Sequence, residues 1–279
     1  MSGVMGLVGV RYRSYRSLRY RSRTKQDKVC TSISSEYGSS FLKCRNSKNM
    51  AENTSNPVAL FANSEQLRRD GYVLLRAGIP APWLDELCTV FDDGVKLGDQ
   101  WPVPRGADWR HALVDLSPIV QSVCRLTSLV SAVGTLIGER FFLAQVEGRE
   151  PLPGGGHQGL HRDLSAQRPG DTVLAIVFLD DYGPENGATR IVPGSHRQKT
   201  FDFNDVSQAV QISGAAGDIL VFEADLVHAG SMNVTGARRR SLLISYFAEP
   251  LLESHLKTAQ LRSVRMGISW FSPLDVEKP

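Results

Sequence analysis

The feature that most constrains this chain is a change of period near its middle. Up to about residue 140 apolar side chains recur every three or four positions, whereas beyond Phe141 they come in short runs cut by turn residues. A period near 3.6 buries one face of a helix, and short runs between turns bury strands. The runs are Phe141–Glu147, Thr172–Leu179, Thr189–Val192, Val210–Ile212, Ile219–Phe222 and Ser241–Phe247. Between them stand Pro153-Gly154-Gly155-Gly156, Gly183-Pro184, Asn186-Gly187, Pro193-Gly194, Gly217-Asp218 and Gly236. Thr172–Leu179 is apolar on both faces, as a central strand covered on two sides must be. Helices followed by a series of short strands predict a mainly β domain with an α-helical buttress, a double-stranded β-helix of the jelly-roll, cupin-like kind.

The helical half divides into three segments. Asn63 or Ser64 can cap a short helix that Gly71 ends, with Tyr72–Leu75 following as a brief strand. A second helix starts near Pro82 and aligns Leu84, Leu87, Cys88, Phe91 and Val95 on one face. A third has Ser117 as cap and Pro118 in the first helical position, and runs through Ile119, Val123, Leu126, Val130, Val133 and Ile137. These stripes read as packing faces and carry no chemistry.

With 279 residues, 42% of them hydrophobic, the chain can bury a sizeable core as one or two domains. The longest charge-free stretch in an apolar region, Leu126–Gly138, is too short to cross a bilayer as a helix, so no membrane span is expected. Charge is uneven: residues 1–50 hold eleven Lys and Arg against two acidic groups, while residues 51–279 hold 21 against 27. The acidic balance of the body gives no reason to expect nucleic acid. Residues 1–49 form a basic, Ser-rich leader for which three readings stay open: an organelle transit peptide, a disordered tail, or an extension upstream of a true start at Met50. The expected setting is intracellular, cytoplasmic unless the leader directs mitochondrial or plastid import. Cys30, Cys44, Cys88 and Cys124 lie far apart, which fits free thiols in a reducing compartment better than a zinc site.

The chemistry centres on Gln158-Gly159-Leu160-His161-Arg162-Asp163. In an extended segment side chains two apart share a face, so His161 and Asp163 can reach one metal ion. His228 follows the Ile219–Phe222 run. Two imidazoles and a carboxylate leave three positions open on a metal, the arrangement suited to non-haem Fe(II) and O₂. Beyond His228, Arg238-Arg239-Arg240 leads into Ser241–Phe247. Arg239 shares parity with Ser241 and Ser245, a wet face on which a guanidinium fork can pair with a keto acid's carboxylate. Arg238 and Arg240 are expected to be solvated.

From Asp70-Gly71-Tyr72-Val73 to the last strand, about residues 60–250, the chain resembles the phytanoyl-CoA dioxygenase family of Fe(II)- and 2-oxoglutarate-dependent oxygenases. The resemblance rests on Gln158-x-x-His161-x-Asp163, on Glu185-Asn186-Gly187-Ala188-Thr189 with Pro193-Gly194-Ser195-His196, and on Gly217-Asp218 with His228 and Arg239. It implies that His161, Asp163 and His228 bind Fe(II) and that Arg239 holds the distal carboxylate of 2-oxoglutarate. Gln158 and Thr189 are further co-substrate contacts by the same resemblance, Thr189 standing equally well as an ordinary strand residue. His196 and Asn186-Gly187 read as structural turn devices. Related halogenases replace the metal carboxylate with a small residue; Asp163 is present, so hydroxylation or a related oxidation of a small organic molecule, a lipid or secondary metabolite, is expected, with succinate and CO₂ released. Val276-Glu277-Lys278-Pro279 is not a peroxisomal tripeptide, which argues against a role in phytanic acid breakdown.

Two readings of other classes remain open: a jelly-roll protein that binds metal or carboxylate without redox turnover, and a cupin-type metal-dependent isomerase or hydrolase. For the substrate, Gln145 and the loop Trp109-Arg110-His111 are candidate entrance residues. In the C-terminal extension, residues 251–279, Ile268–Phe271 serves either as a lid or as plain packing. His157, four residues before His161, is read as lying off the metal face. Neither the substrate nor the oligomeric state is legible.

Overall fold

The computed structural model describes residues 57–100, 106–163 and 168–272. Expectations for the leader, for Met50 and for Cys30 and Cys44 lie outside the described residues. Helices α1 (Pro57–Asp70) and α2 (Leu84–Gly94) flank the first strand, β1 (Tyr72–Leu75). Two strands, β2 (Lys96–Leu97) and β3 (Trp109–Leu113), precede helices α3 (Pro118–Val123) and α4 (Thr127–Ile137). Then come β4 (Phe141–Pro151), β5 (Thr172–Phe178), β6 (Arg190–Ile191), β7 (Val210–Gln211), β8 (Ile219–Glu223), β9 (His228–Ala229) and β10 (Ser241–Ala248). Helix α5 (Leu252–Ala259) and β11 (Ser269–Phe271) complete the described elements.

Among the described residues an antiparallel sheet runs in the order β1-β8-β5-β10-β4-β3-β2, with β11 beside β4, and a smaller sheet runs β7-β6-β9. The expected strands and helical buttress are therefore present. One face of the large sheet packs on the helices: Val173, Ala175, Val177, Ile219, Val221, Leu242, Ile244 and Tyr246 join Leu67, Leu87, Phe91, Val120, Leu129 and Val133 in one buried cluster. Burying each large side chain contributes roughly 1.5–3 kcal/mol. Among the described residues no helix is long and apolar enough to cross a membrane.

Three local expectations change, and for a fourth segment one of its two open readings is met. Asn63 and Ser64 do not cap α1 but lie inside it, because Pro57, whose fixed φ suits a first turn, allows an earlier start. The end is as read: Gly71 has φ +79°, and a Cβ there would stand 2.4 Å from His196 Nδ1, so this turn requires glycine. The third helix is two helices, since Leu126 is extended (ψ 128°) and caps α4, while the buried Tyr246 hydroxyl donates to the Cys124 carbonyl at 2.8 Å. That bond satisfies an acceptor an unbroken helix would use internally. Trp109-Arg110-His111 is not a loop but part of β3, paired with β4 from Trp109↔Pro151 to Leu113↔Glu147. Finally, Ser269–Phe271 pairs with Leu143–Phe141, and Phe271 stacks on Phe141 at 5.5 Å, so this segment packs as a strand.

A bulge in β4 decides what faces inward. Ser245 pairs with Gln145 but Tyr246 with Leu143, so Ala144 is the extra residue. Phe141, Leu143 and Val146 consequently join the helix-side cluster, and Gln145, Glu147 and Arg149 turn to the interior between the sheets.

Candidate metal centre and its cavity

Between the sheets lies a cavity of about 530 Å³. His161, Asp163 and His228 line it, and one ligand atom from each falls within 4.8 Å of the others. Backbone pairing produces this meeting. His161 donates its amide to the His228 carbonyl at 3.0 Å, His228 returns the bond at 2.9 Å, and Asp163 donates to the Ala224 carbonyl at 2.9 Å. Each imidazole is also set in orientation. Nδ1 of His161 lies 2.9 Å from the Gly159 carbonyl, and Nδ1 of His228 lies 2.9 Å from the Leu226 carbonyl. A carbonyl only accepts, so both Nδ1 atoms carry a proton, and Nε2 is the atom that each ring turns towards Asp163 and would offer a metal once its own proton is displaced.

The Asp163 oxygens stand 3.7 Å from His161 Nε2 and 3.5 Å from His228 Nε2. Ligands about 2.1 Å from a shared ion, at right angles, are separated by about 3 Å, so a small inward movement completes a three-ligand face. Burial pushes the Asp163 carboxyl upward, but the His228 hydrogen bond and the charges of His228, His161 and Arg149 outweigh it and hold the group below its ordinary value. The carboxylate is thus the form available to a cation. Phe222 lies against the His228 ring, 4.9 Å between centroids, and fixes its plane.

Arg239 projects into the same cavity, only 4% exposed, with no ion pair and no partner for Nε among the described residues. Its guanidinium faces the rings of Tyr182 at 4.9 Å and Trp109 at 5.8 Å. Burial lowers its pKa, with attraction from Tyr182 and Glu150 opposing. The Tyr182 hydroxyl is also buried, near Ser241 but with no well-formed hydrogen bond among the described residues. An unpaired buried cation beside such a hydroxyl is costly unless a ligand anion completes it, and a carboxylate matches both groups.

The neighbours of Arg239 behave differently from expectation. Arg238 donates to Glu150 and Asp92, and Arg240 to Asp180 and Asp92, all at 2.7–3.0 Å, so both are ion-paired rather than merely solvated. Gln158 lines the cavity while its Oε1 accepts from the Gly230 amide at 2.9 Å, leaving its amide nitrogen for a ligand. Thr189 is buried on the cavity wall. Trp109 and Gln145 line the cavity as well, whereas His157 is exposed outside it and His196 packs at Gly71. Asn186 closes its own turn, its amide oxygen accepting from Gly183 at 2.8 Å.

Sequence reasoning missed Tyr182, Glu147, Arg149 and the wall supplied by α5 and Arg262. Glu147 and Arg149 had a visible signal, charge inside an apolar strand, but without the bulge their facing could not be assigned. Tyr182, in a turn-rich stretch, offered none.

The phytanoyl-CoA dioxygenase family model matches residues 105–241. Dioxygenase himG of Aspergillus japonicus is 36% identical over 112 residues, 35% of this chain and 35% of that protein. The iron/alpha-ketoglutarate-dependent dioxygenase ausU of Aspergillus calidoustus is 39% identical over 107 residues, 34% of this chain and 36% of that one. The matched region thus spans about a third of each of these curated relatives. The epimerase SnoN, solved with Fe3+, alpha ketoglutarate and nogalamycin RO, superposes with TM-score 0.59 at 22% identity, covering 69% of this chain and 85% of that one. EctD from S. alaskensis with bound Fe gives 0.56 at 19%, covering 67% and 76%. These likenesses establish the fold as the jelly roll of such enzymes.

Proposed function

We propose that this chain, whose residues 105–241 match the phytanoyl-CoA dioxygenase family model, belongs to that family and is an Fe(II)- and 2-oxoglutarate-dependent dioxygenase that oxidises a small organic molecule. The observation that carries the reading is the coexistence, in one cavity, of a facial His-Asp-His set and an unpaired buried arginine. The donor set fits the metal: two neutral nitrogens and one carboxylate on one face suit non-haem iron and leave room for a bidentate keto acid and O₂. The arginine fits the co-substrate, since a C5 dicarboxylate chelating through one end presents a carboxylate at the other.

Bound Fe(II) with 2-oxoglutarate supplies oxidation of a C–H bond, with succinate and CO₂ released. The chain's own part is positional. His161, Asp163 and His228 hold the ion, their Nδ1 bonds to backbone carbonyls keeping the rings from turning. Arg239 takes the distal carboxylate, with the Tyr182 hydroxyl as a second donor and Trp109 and Tyr182 excluding water around the guanidinium. Arg238 and Arg240, tied outward to carboxylates on either side, fix the strand so that Arg239 points in. Gln158 and Thr189 line the co-substrate's surroundings.

Asp163 is where a halogenase has a small residue, so oxygenation rather than halogen transfer is the assigned outcome. A non-redox binder or a cupin-type hydrolase has no need of Arg239 beside an open metal face. The test is anaerobic reconstitution with Fe(II) and 2-oxoglutarate: a weak visible absorption from the metal–keto acid pair is expected, then succinate on admitting air. Folded protein showing neither would overturn the reading.

A further inference from the structure

Besides Arg239 the cavity is lined by Arg149, which is paired with Glu147, and by a third arginine at the end away from Arg239. Strand β10 leaves Arg239 and ends at Ala248, directly before the turn Glu249–Leu251 and helix α5. Arg262, just beyond α5, lines the cavity and donates to the Gln145 side-chain oxygen. Gln145 pairs with Ser245, six residues along β10 from Arg239. At about 3.3 Å per residue the backbone positions of Arg239 and Ser245 lie about 20 Å apart, so the two guanidinium groups enter the cavity from different ends.

The partners of Arg262 are all neutral. Besides Gln145 they are His255 Nδ1 at 3.0 Å and Thr258 Oγ1 at 3.2 Å, and among the described residues Arg262 forms no ion pair. His255 accepts from Arg262 and is uncharged at neutral pH: burial, then the nearby guanidinium, take its pKa down to about 4. Among the described residues the carboxylate on this part of the wall is Glu147, which pairs with Arg149 at 2.6 Å, lies 3.8 Å from His111 Nε2 and attracts Arg262 without forming an ion pair with it, so one carboxylate faces two guanidinium groups. Gln145 stands between, donating to Glu147 and accepting from Arg262. Among the described residues the α5 end of the cavity therefore carries one surplus positive charge, and its wall includes the apolar groups Leu243, Phe247 and Leu251.

We propose that Arg262 is a specificity-determining residue that binds a carboxylate on the substrate, so that the substrate class is a small organic acid with an apolar body. This rests on the reading that 2-oxoglutarate occupies the Arg239 end. The acid group docks at α5, and the apolar body lies between α5 and the metal ligands. A guanidinium fork held by neutral acceptors gives up no ion pair to receive it.

The test offers full-length protein, loaded anaerobically with Fe(II) and saturating 2-oxoglutarate, an equimolar mixture of 2-naphthylacetate, dodecanoate and their methyl esters. Retained compounds are quantified by mass spectrometry after rapid gel filtration. The expected result is that the acids are retained at least tenfold over their esters, that Arg262→Gln removes this preference, and that Arg262→Lys keeps part of it. The affinity for 2-oxoglutarate, followed by the visible absorption, should stay within twofold in both variants. Equal retention of acids and esters, retention of no acid by protein that shows the absorption, or an unchanged preference in Arg262→Gln would overturn the proposal. So would a loss of 2-oxoglutarate binding in Arg262→Gln, which would place Arg262 in the co-substrate site. Absence of the absorption in the parent protein condemns the dioxygenase reading instead. The acid and ester comparison is then read on metal-free protein, where Arg262 alone should still discriminate.

Discussion

Along β10 the two faces of one strand meet opposite demands. Leu242, Ile244 and Tyr246 are fully buried against the helices, and Tyr246 spends its only polar atom on the Cys124 carbonyl. One residue out of phase, Arg239, Ser241, Leu243, Ser245 and Phe247 face the cavity, where a cation and two hydroxyls alternate with apolar groups. The helix face is settled by burial and is complete in itself. The cavity face keeps groups that burial alone would reject, and it makes sense only with a ligand. Substitutions on the first should therefore register in stability, and substitutions on the second in what the protein holds.

The largest effect belongs to the cavity face. His161→Ala, Asp163→Ala and His228→Ala should each lose tightly held iron, because one of the three proposed protein ligands is removed, while the fold persists. Metal content after gel filtration, with circular dichroism, checks this; native iron content in any of the three would break the assignment.

On the helix face, Phe141→Ala is the matching perturbation. Phe141 is fully buried between Tyr246 and Phe271, with ring centroids 6.0 and 5.5 Å away. Removing such a ring costs about 3–5 kcal/mol through lost transfer energy and the cavity left behind. Urea unfolding should show that loss, and the folded fraction should bind 2-oxoglutarate as the parent does. A changed affinity would mean that the two faces are not separable.

How much of this contrast was legible beforehand follows from its causes. Burial writes itself into periodicity, so the strands of β5, β8 and β10 and the stripe Leu84–Val95 could be read directly. That His161 and Asp163 share a face was legible because a two-residue spacing in an extended segment is itself a geometry, whereas His228 was joined to them through the family resemblance. The α3–α4 break was not, since it depends on a hydroxyl more than a hundred residues away. The facing of Gln145, Glu147 and Arg149 was hidden by the extra residue at Ala144, because a one-residue slip exchanges the two faces of a strand. The pairing of Arg238 and Arg240 depends on Asp92, Glu150 and Asp180 arriving from three other segments, which no local pattern records.

Arg239→Ala tests the cavity face from its closed end. Losing one member of a buried charge pair costs about 2–5 kcal/mol, so the 2-oxoglutarate requirement should rise by about one to three orders of magnitude. Iron content should stay near that of the parent, since no metal ligand is touched. Arg239→Lys should recover only part, an ammonium lacking the two-pronged contact. Titration of the visible absorption measures both, and an unchanged midpoint in Arg239→Ala would remove the co-substrate role.

One polar group sits at the end of a helix-facing row and sharpens the contrast through pH. Glu223 follows Ile219 and Val221 on β8 and is 7% exposed; burial, with Asp225 and Asp171 nearby, raises its pKa from 4.5 to about 7. The folded state thus holds this proton more tightly than the unfolded state, and the associated stability is present below pH 4.5 and is lost as pH rises through 7. The span corresponds to about 3 kcal/mol at most. Glu223→Gln should match the parent near pH 4 and exceed it in unfolding free energy near pH 8. Equal stability of the two at pH 8 would show that Glu223 titrates normally.

The smallest effects should come from the residues on either side of Arg239, and they test whether facing rather than charge decides function at this turn. Arg238 and Arg240 carry the same guanidinium as Arg239, but adjacent residues in an extended segment point to opposite sides. Theirs end on carboxylates: Arg238 on Glu150 and Asp92, Arg240 on Asp180 and Asp92. Asp92 is 43% exposed and Arg238 42%, so water screens that pair, but Glu150 is 7% exposed and Arg240 and Asp180 are 14% and 19%, so losing either guanidinium leaves a largely buried carboxylate unpaired, at about 1–3 kcal/mol. Arg238→Ala and Arg240→Ala should each lower stability by about that amount and leave the 2-oxoglutarate midpoint within about twofold. If either shifts the midpoint as far as Arg239→Ala does, the network does more than hold the strand, and the alternation of faces along β10 does not extend through its entry turn.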